Sequence, residues 1–316
     1  MNSDTICAIC HYLDNKKKIY FLSTCTQLHA LKSKVSYKKQ VLLIAIEKLF
    51  YFDQFENVYV HFVHNGRLPQ NTKILTYYRE FDAPIDYLKG YSKITHITFG
   101  DGFSHPIIGL LPPNLKNLTL GYCAKQRDIR ELPKTVTHLK LCIPLGHISV
   151  PPCIYHVPDT ITHLILRGYG GYHGMKWPAK LKQLVIKNGI GMSYYARCDI
   201  PEGVEYANVT CTGDCSRLSF PDSLKHLRMH FSCDATNIPT IPPNVETLEL
   251  SILMCYIIPN VNYPVTLKHL KIQGLIENFA FESLPPSVTQ VDLYHEIYDR
   301  HHTFPVGMKV KRLMNK

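Results

Sequence analysis

The chain has 316 residues, 45% hydrophobic and 19% charged, a globular composition that excludes a disordered tail and allows a sizeable core without disulfide or metal staples. Thirty-five Lys and Arg against 25 Asp and Glu give a net charge of +10, which steers toward acidic surfaces but dictates no fold. Twenty-one prolines forbid long uninterrupted helices and exclude a helical bundle.

The first fifty residues contain no proline and read as short helices. Ile6, Ile9, Tyr12 and Leu13 fall at helical spacing, Asp14 and Asn15 supply a break and a cap, and Ile19, Phe21 and Leu22 begin a second stripe. The apolar residues precede the lysines, so no export signal is read, and the longest apolar stretch, Val41 to Phe52, is interrupted by Glu47 and Lys48. It falls short of the roughly 20 residues a spanning helix needs, so the expected location is the cytoplasm, with no membrane partner. The eleven cysteines are then free thiols, mostly buried.

Cys7-Ala8-Ile9-Cys10-His11 matches the c-type haem attachment pattern, which needs an exported chain. Cys7, Cys10, Cys25 and His29 have the spacing C-x2-C-x14-C-x3-H, open to tetrahedral zinc. Against both, the first cysteine pair fits inside one helical stripe, and cysteine is commonly buried without any ligand role. The expectation is no cofactor and no metal.

The string Asp4 to Leu31, DTICAICHYLDNKKKIYFLSTCTQLHAL, resembles an F-box. Asp4 stands for that family's acidic residue, Ile6 and Ile9 for its first-helix aliphatics, Tyr12-Leu13 for the pair ending that helix, and Cys25 for the cysteine before its tryptophan. The tryptophan is Leu28 here, Met1-Asn2 replaces the usual Leu-Pro and Thr24 a usual valine. The resemblance implies a small all-α module over residues 1–50 that docks a Skp-type adaptor through Ile6, Ile9, Leu13, Ile19, Leu22 and Leu28, these residues dividing between its own core and the docking patch.

From Leu111 onward one phrase recurs: LPPNLKNLTL, LPKTVTHLKL, VPDTITHLIL, WPAKLKQLVI, IPEGVEYANV, FPDSLKHLRM, IPPNVETLEL, YPVTLKHLKI and LPPSVTQVDL. Each has a proline and then apolar residues three, six and eight positions on, as in Pro133, Val136, Leu139 and Leu141. A degenerate copy follows at Pro305 and weaker ones precede at Phe52, Pro69 and Tyr91; the twelve intervals from 52 to 305 give a mean period of about 21 residues, in the leucine-rich-repeat range. Two apolar positions two apart make a short strand with one inward face, and strands stacked every ~4.8 Å bury it collectively. The expected fold is an α/β repeat solenoid of about 12–13 units over residues 51–316, right-handed, with a parallel concave sheet and a largely irregular convex side. Glycines such as Gly100, Gly121, Gly168 and Gly274 are the expected corner turns in place of a regular asparagine.

The segment from Phe99 to Gly121 is similar to the FNIP repeat, with Phe103-Ser104-His105-Pro106-Ile107 where that family has Phe-Asn-x-Pro-Ile. Thr236-Asn237-Ile238-Pro239 is an eroded copy. FNIP proteins are leucine-rich-repeat relatives abundant in social amoebae and in giant viruses of amoebae.

Strand alternation puts the residues beside the inward leucines on the concave face, where His138, Lys140, His163, His226, Arg228, His230, His269 and Lys271 would form a basic, hydrogen-bonding surface for a target. A nucleic-acid partner is disfavoured, because Lys and Arg are spread along the chain and no aromatics interleave a basic cluster. No phosphate-cradling loop, nucleophile elbow or zinc-peptidase helix is present, so the chain reads as non-enzymatic. With the F-box resemblance, the implied function is substrate recognition for a cullin-RING ubiquitin ligase. The rival is a scaffold or virion component whose N-terminal helices only cap the solenoid.

Overall fold

The computed structural model describes residues 2–61, 67–122, 129, 131–142, 157–168, 176–190, 198–211, 215–216, 218–232, 239–252, 261–274, 284–294 and 307–313. The chain divides into two compact units, Met1–Leu139 and Lys140–Lys316.

The first unit opens with α1 (Ser3–His11), α2 (Asn15–Phe21) and α3 (Thr26–His29). Asn2 caps α1, its side-chain oxygen accepting from the N–H groups of Asp4 at 2.8 Å and Thr5 at 3.0 Å. Asp14 caps α2 by accepting from Lys17 N–H at 2.9 Å. Strands β1 (Val41–Leu42), β2 (Asn57–Val60), β3 (Ile74–Tyr77), β4 (His96–Thr98) and β5 (Asn117–Tyr122) then pair in sequence, all parallel. The ladder thus begins ahead of the boundary expected at residue 51, because Val41 and Leu42 pair with Val58 and Tyr59 and Tyr37 bridges to Phe55. Strand β6 (His138–Cys142) carries the unit boundary.

In the second unit β7 (His163–Arg167), β8 (Gln183–Ile190), β10 (Tyr206–Cys211), β12 (His226–Phe231), β13 (Thr247–Ile252), β14 (His269–Gly274), β15 (Gln290–Tyr294) and β16 (Lys309–Leu313) form the parallel ladder. Two short strands, β9 (Cys198–Asp199) and β11 (Leu218–Ser219), pair apart from it on the return path, which is therefore not wholly irregular. This is a parallel-sheet solenoid of leucine-rich-repeat type with few helices.

One turn sets each repeat. The residue three after the proline donates its N–H back to the proline carbonyl, as Val136 does to Pro133 at 2.9 Å and Leu267 to Pro264 at 3.0 Å. The degenerate anchors close the same turn, Thr72 on Pro69 at 3.0 Å and Ile94 on Tyr91 at 3.1 Å. The chain then joins its neighbour through a shared acceptor: Glu246 and Thr247 both donate to the Lys225 carbonyl, and Lys268 and His269 both donate to that of Glu246. This arrangement drives the apolar trio inward. Val245, Leu248 and Leu250 have no exposed surface, and Leu139, Leu164, Leu227 and Leu270, which share the inward column, are at most 2% exposed. At Gly100 a Cβ would overlap the Arg79 backbone, so the expected glycine turn there is a close approach of neighbouring repeats. Gly274 is a positive-φ corner at +123°.

Cys211 and Cys215 are both buried, the packing role expected of them. The copies at residues 236–238 and around Pro305 lie outside the described residues. Among the described residues no helix is long and apolar enough to cross a membrane.

Candidate functional site

The N-terminal helices present two faces. Ile6, Cys10 and Leu22 are buried, Leu13, Ile19 and Leu28 are half-buried, and Ile9 is 39% exposed. Outward on α1, Thr5, Ala8, Ile9 and Tyr12 fall at positions i, i+3, i+4 and i+7 and are all exposed. Among the described residues, six of the eight large exposed hydrophobics (Ile9, Tyr12, Tyr20, Leu42, Ile44 and Phe50) lie in the first fifty positions, so unpartnered apolar surface is concentrated there.

The inner face is held by buried cations. Lys18 Nζ donates to the Ser36 carbonyl at 2.7 Å and sits 6.0 Å from the Tyr37 ring centre, while Lys32 Nζ donates to Ser23 Oγ at 2.7 Å, 5.7 Å from the Tyr51 ring. Burial lowers the Lys18 pKa, and the stacked Tyr37 and Phe55 rings, 4.7 Å apart, floor the site. Asn15 bonds the Lys39 backbone through both ends of its amide. Cys7 is half-buried, Cys10 buried and Cys25 exposed, and among the described residues no group of three or more His, Cys, Asp or Glu is placed to hold a metal.

On the strand face, His138 and His226 are exposed and Lys140, His163, Arg228, His230, His269 and Lys271 half-buried, each alternating with an inward residue. The second unit's face alternates in charge rather than being uniformly basic. Register places Arg228, Glu249, Lys271, Asp292 and Lys311 side by side on successive strands. Arg228 pairs with Glu249 at 3.1 Å, and His269 with Asp292 at 2.8 Å. Burial would raise the Asp292 pKa, but the Gln290 hydrogen bond and the His269 partner outweigh it and hold it below 3.8. His230 departs furthest from a basic role: burial, then Arg228 and Lys187, push its pKa down to about 4, leaving it neutral near pH 7.

The first unit's face differs. One row runs Asn57, Ile74, His96, Asn117 and the next Tyr59, Thr76, Thr98, Thr119, with no Lys, Arg, Asp or Glu.

The corner of this unit shows a second FNIP-like segment that sequence reasoning overlooked. Phe81-Asp82-Ala83-Pro84-Ile85 precedes Phe103-Ser104-His105-Pro106-Ile107 by one repeat. Phe81, Ile85, Phe103 and Ile107 are buried, the two phenyl rings lie 6.2 Å apart at 11°, and Asp82 accepts from the Ser104 N–H at 2.7 Å. The FNIP Repeat family model matches residues 92–123 and, overlapping them, 103–142. Residues 92–142 thus carry FNIP repeats within a solenoid of leucine-rich-repeat type. Among solved structures, CroV588, described as a novel circular LRR protein structure, aligns with this chain at TM-score 0.42 and 16% identity over 89% of this chain and 53% of its own. The chain thus spans about half the length of CroV588. A leucine-rich repeat protein from Bacteroides ovatus ATCC 8483 aligns at TM-score 0.22 and 15% identity, covering 89% of this chain and 78% of its own. No curated protein matches.

Proposed function

We propose that this FNIP-type chain is a non-catalytic protein-interaction subunit: its N-terminal helices dock a Skp-type adaptor, and its repeat face captures a protein target for a cullin-RING ubiquitin ligase. Ubiquitin transfer would belong to the recruited ligase, and the setting would be cytoplasmic. The observation that supports the docking role is the outward stripe of Thr5, Ala8, Ile9 and Tyr12, which leaves apolar surface on the face opposite the buried Ile6 and Cys10. Target capture fits the ordered row of polar and charged side chains on the strand face, which is where solenoids bind partners.

Calorimetric titration of the full chain with a purified Skp-type adaptor, carried into the micromolar range, tests this reading. Binding that Ile9→Asp and Tyr12→Asp each abolish, with the far-UV spectrum unchanged, is the expected result. The same module also supports a second reading, because Lys18, Lys32 and Asn15 tie it to Tyr37, Tyr51 and Lys39 in the way a solenoid cap requires. No heat at micromolar adaptor would leave the helices as that cap alone.

A further inference from the structure

The outward face of β2 to β5 stands out against the rest of the ladder by what it lacks. In a chain with 19% charged residues, its two rows hold none, and the one histidine in them, His96, is pushed toward the neutral form by burial, then by His138 and Lys116. Aromatic surface takes the place of charge. Tyr59 meets Tyr78 edge to face at 5.8 Å, and Tyr78 stacks on His61 at 4.3 Å with the planes 16° apart. Beside them Ile74 is 38% exposed on an outward strand position.

Charge reappears at the borders, paired beside β2 and β3 and carried by Lys116 just ahead of β5. Glu56 and Lys73, just ahead of β2 and β3, lie 3.1 Å apart, and Arg79 and Glu80 beyond β3 lie 3.8 Å apart. An uncharged, tyrosine-bearing centre inside a polar rim is the anatomy of a protein interface core. The Oδ1 atoms of Asn57 and Asn117, at the two ends of one row, accept no hydrogen bond. Both oxygens are buried, and the broad χ2 of asparagine lets each amide turn so that its oxygen can accept from an incoming N–H or O–H.

We infer that this face of the first unit is the seat of the captured protein, and that it takes an uncharged segment presenting aliphatic groups with N–H or O–H donors. The inference rests on the protein-capturing reading above and narrows it, moving the seat away from the charge-alternating strands that carry Arg228 and Lys271. Charge complementarity decides the partner's character: a charged segment would lose hydration over this face and gain no counter-charge. Ile74 favours protein over carbohydrate, since a sugar has little to set against an aliphatic side chain in mid-face.

The test is selection of random 15-residue peptides displayed on phage against the full chain, followed by anisotropy titration of the selected peptides. Peptides poor in Asp, Glu, Lys and Arg are expected, weakened about tenfold or more by Thr98→Arg or Ile74→Glu and less than about twofold by Lys271→Glu. All three positions point outward, and a melting curve on each variant verifies its fold. Selected peptides that are charged and respond to Lys271→Glu would overturn this seat while sparing the capture reading. Failure to select any peptide would overturn both, and binding confined to a panel of neutral glycans, lost in Tyr59→Ala, would replace the protein partner with a sugar.

Discussion

Asp82 and Ser104 occupy the same position in consecutive repeats, and the Asp82 carboxylate takes both the backbone N–H and the hydroxyl of Ser104, at 2.7 and 2.8 Å. One side chain thereby fixes the entry of the next corner, over which Phe81 and Phe103 stack. Asp82→Ala should lower stability by about 1 kcal/mol, and Asp82→Asn by less, since an amide oxygen still accepts. Urea denaturation gives both values; equal stability of the alanine variant would mean that ring stacking alone holds the corner.

The inward column makes a sharper prediction. Leu227, Leu248 and Leu270 lie at one depth on adjacent strands, so Leu→Ala at each should cost roughly 2–5 kcal/mol, with values similar to one another. A cost below about 1 kcal/mol at any of them, measured by the same denaturation, would contradict the register.

A second ladder runs two residues after several of the prolines. Asn114 donates to the Ser92 carbonyl at 3.0 Å, Thr135 to Pro113 at 2.9 Å, Asn244 to Asp222 at 2.9 Å and Thr266 to Pro243 at 2.6 Å, each reaching the preceding repeat. Ser287 holds the same position, yet its Oγ is buried without a partner. Asn244→Ala should cost about 1 kcal/mol, while Ser287→Asn, with a longer reach, should gain up to about 1 kcal/mol. A destabilised Ser287→Asn protein in a melting experiment would show that the carbonyl ahead of it is out of range.

His230 sets a pH dependence. Its native pKa of about 4 lies below the ordinary 6.5, so the unfolded chain binds the proton first as pH falls. Its contribution is complete above pH 6.5 and is lost as pH drops from there toward 4. Denaturation midpoints between pH 7.5 and 4.5 should therefore decline in the wild type and decline less in His230→Asn; parallel curves would place His230 in water.

How far these features are legible in the sequence depends on what kind of interaction makes them. The turn and apolar trio are plain because proline and large apolar residues recur at fixed offsets, and even Phe52, Pro69 and Tyr91 can be found as anchors. The second ladder escapes notice because Asn, Thr and Ser interchange freely at that position, sharing only a short donor. Asp82 hides the earlier FNIP copy in the same way, standing where an asparagine is sought. Glu249 and Asp292 are visible in the outward column, but that they pair with Arg228 and His269 follows only from which strand lies next to which. Buried Lys18 and Lys32 run against the expectation that lysine faces water, and ring faces beneath them make that possible.

The shared carbonyl between neighbours carries an evolutionary consequence. Joint after joint among the described residues is chemically the same, with the N–H pair of Lys268 and His269 meeting Glu246 just as that of Glu246 and Thr247 meets Lys225. Unequal crossing-over that adds or removes one whole unit would preserve such joints, whereas inserting a single residue between turn and strand would turn the leucine column to the wrong side. Genes built on this plan can lengthen or shorten in steps of about 21 codons, and a reading surface on one stretch of strands can change while the rest of the ladder stays as it was.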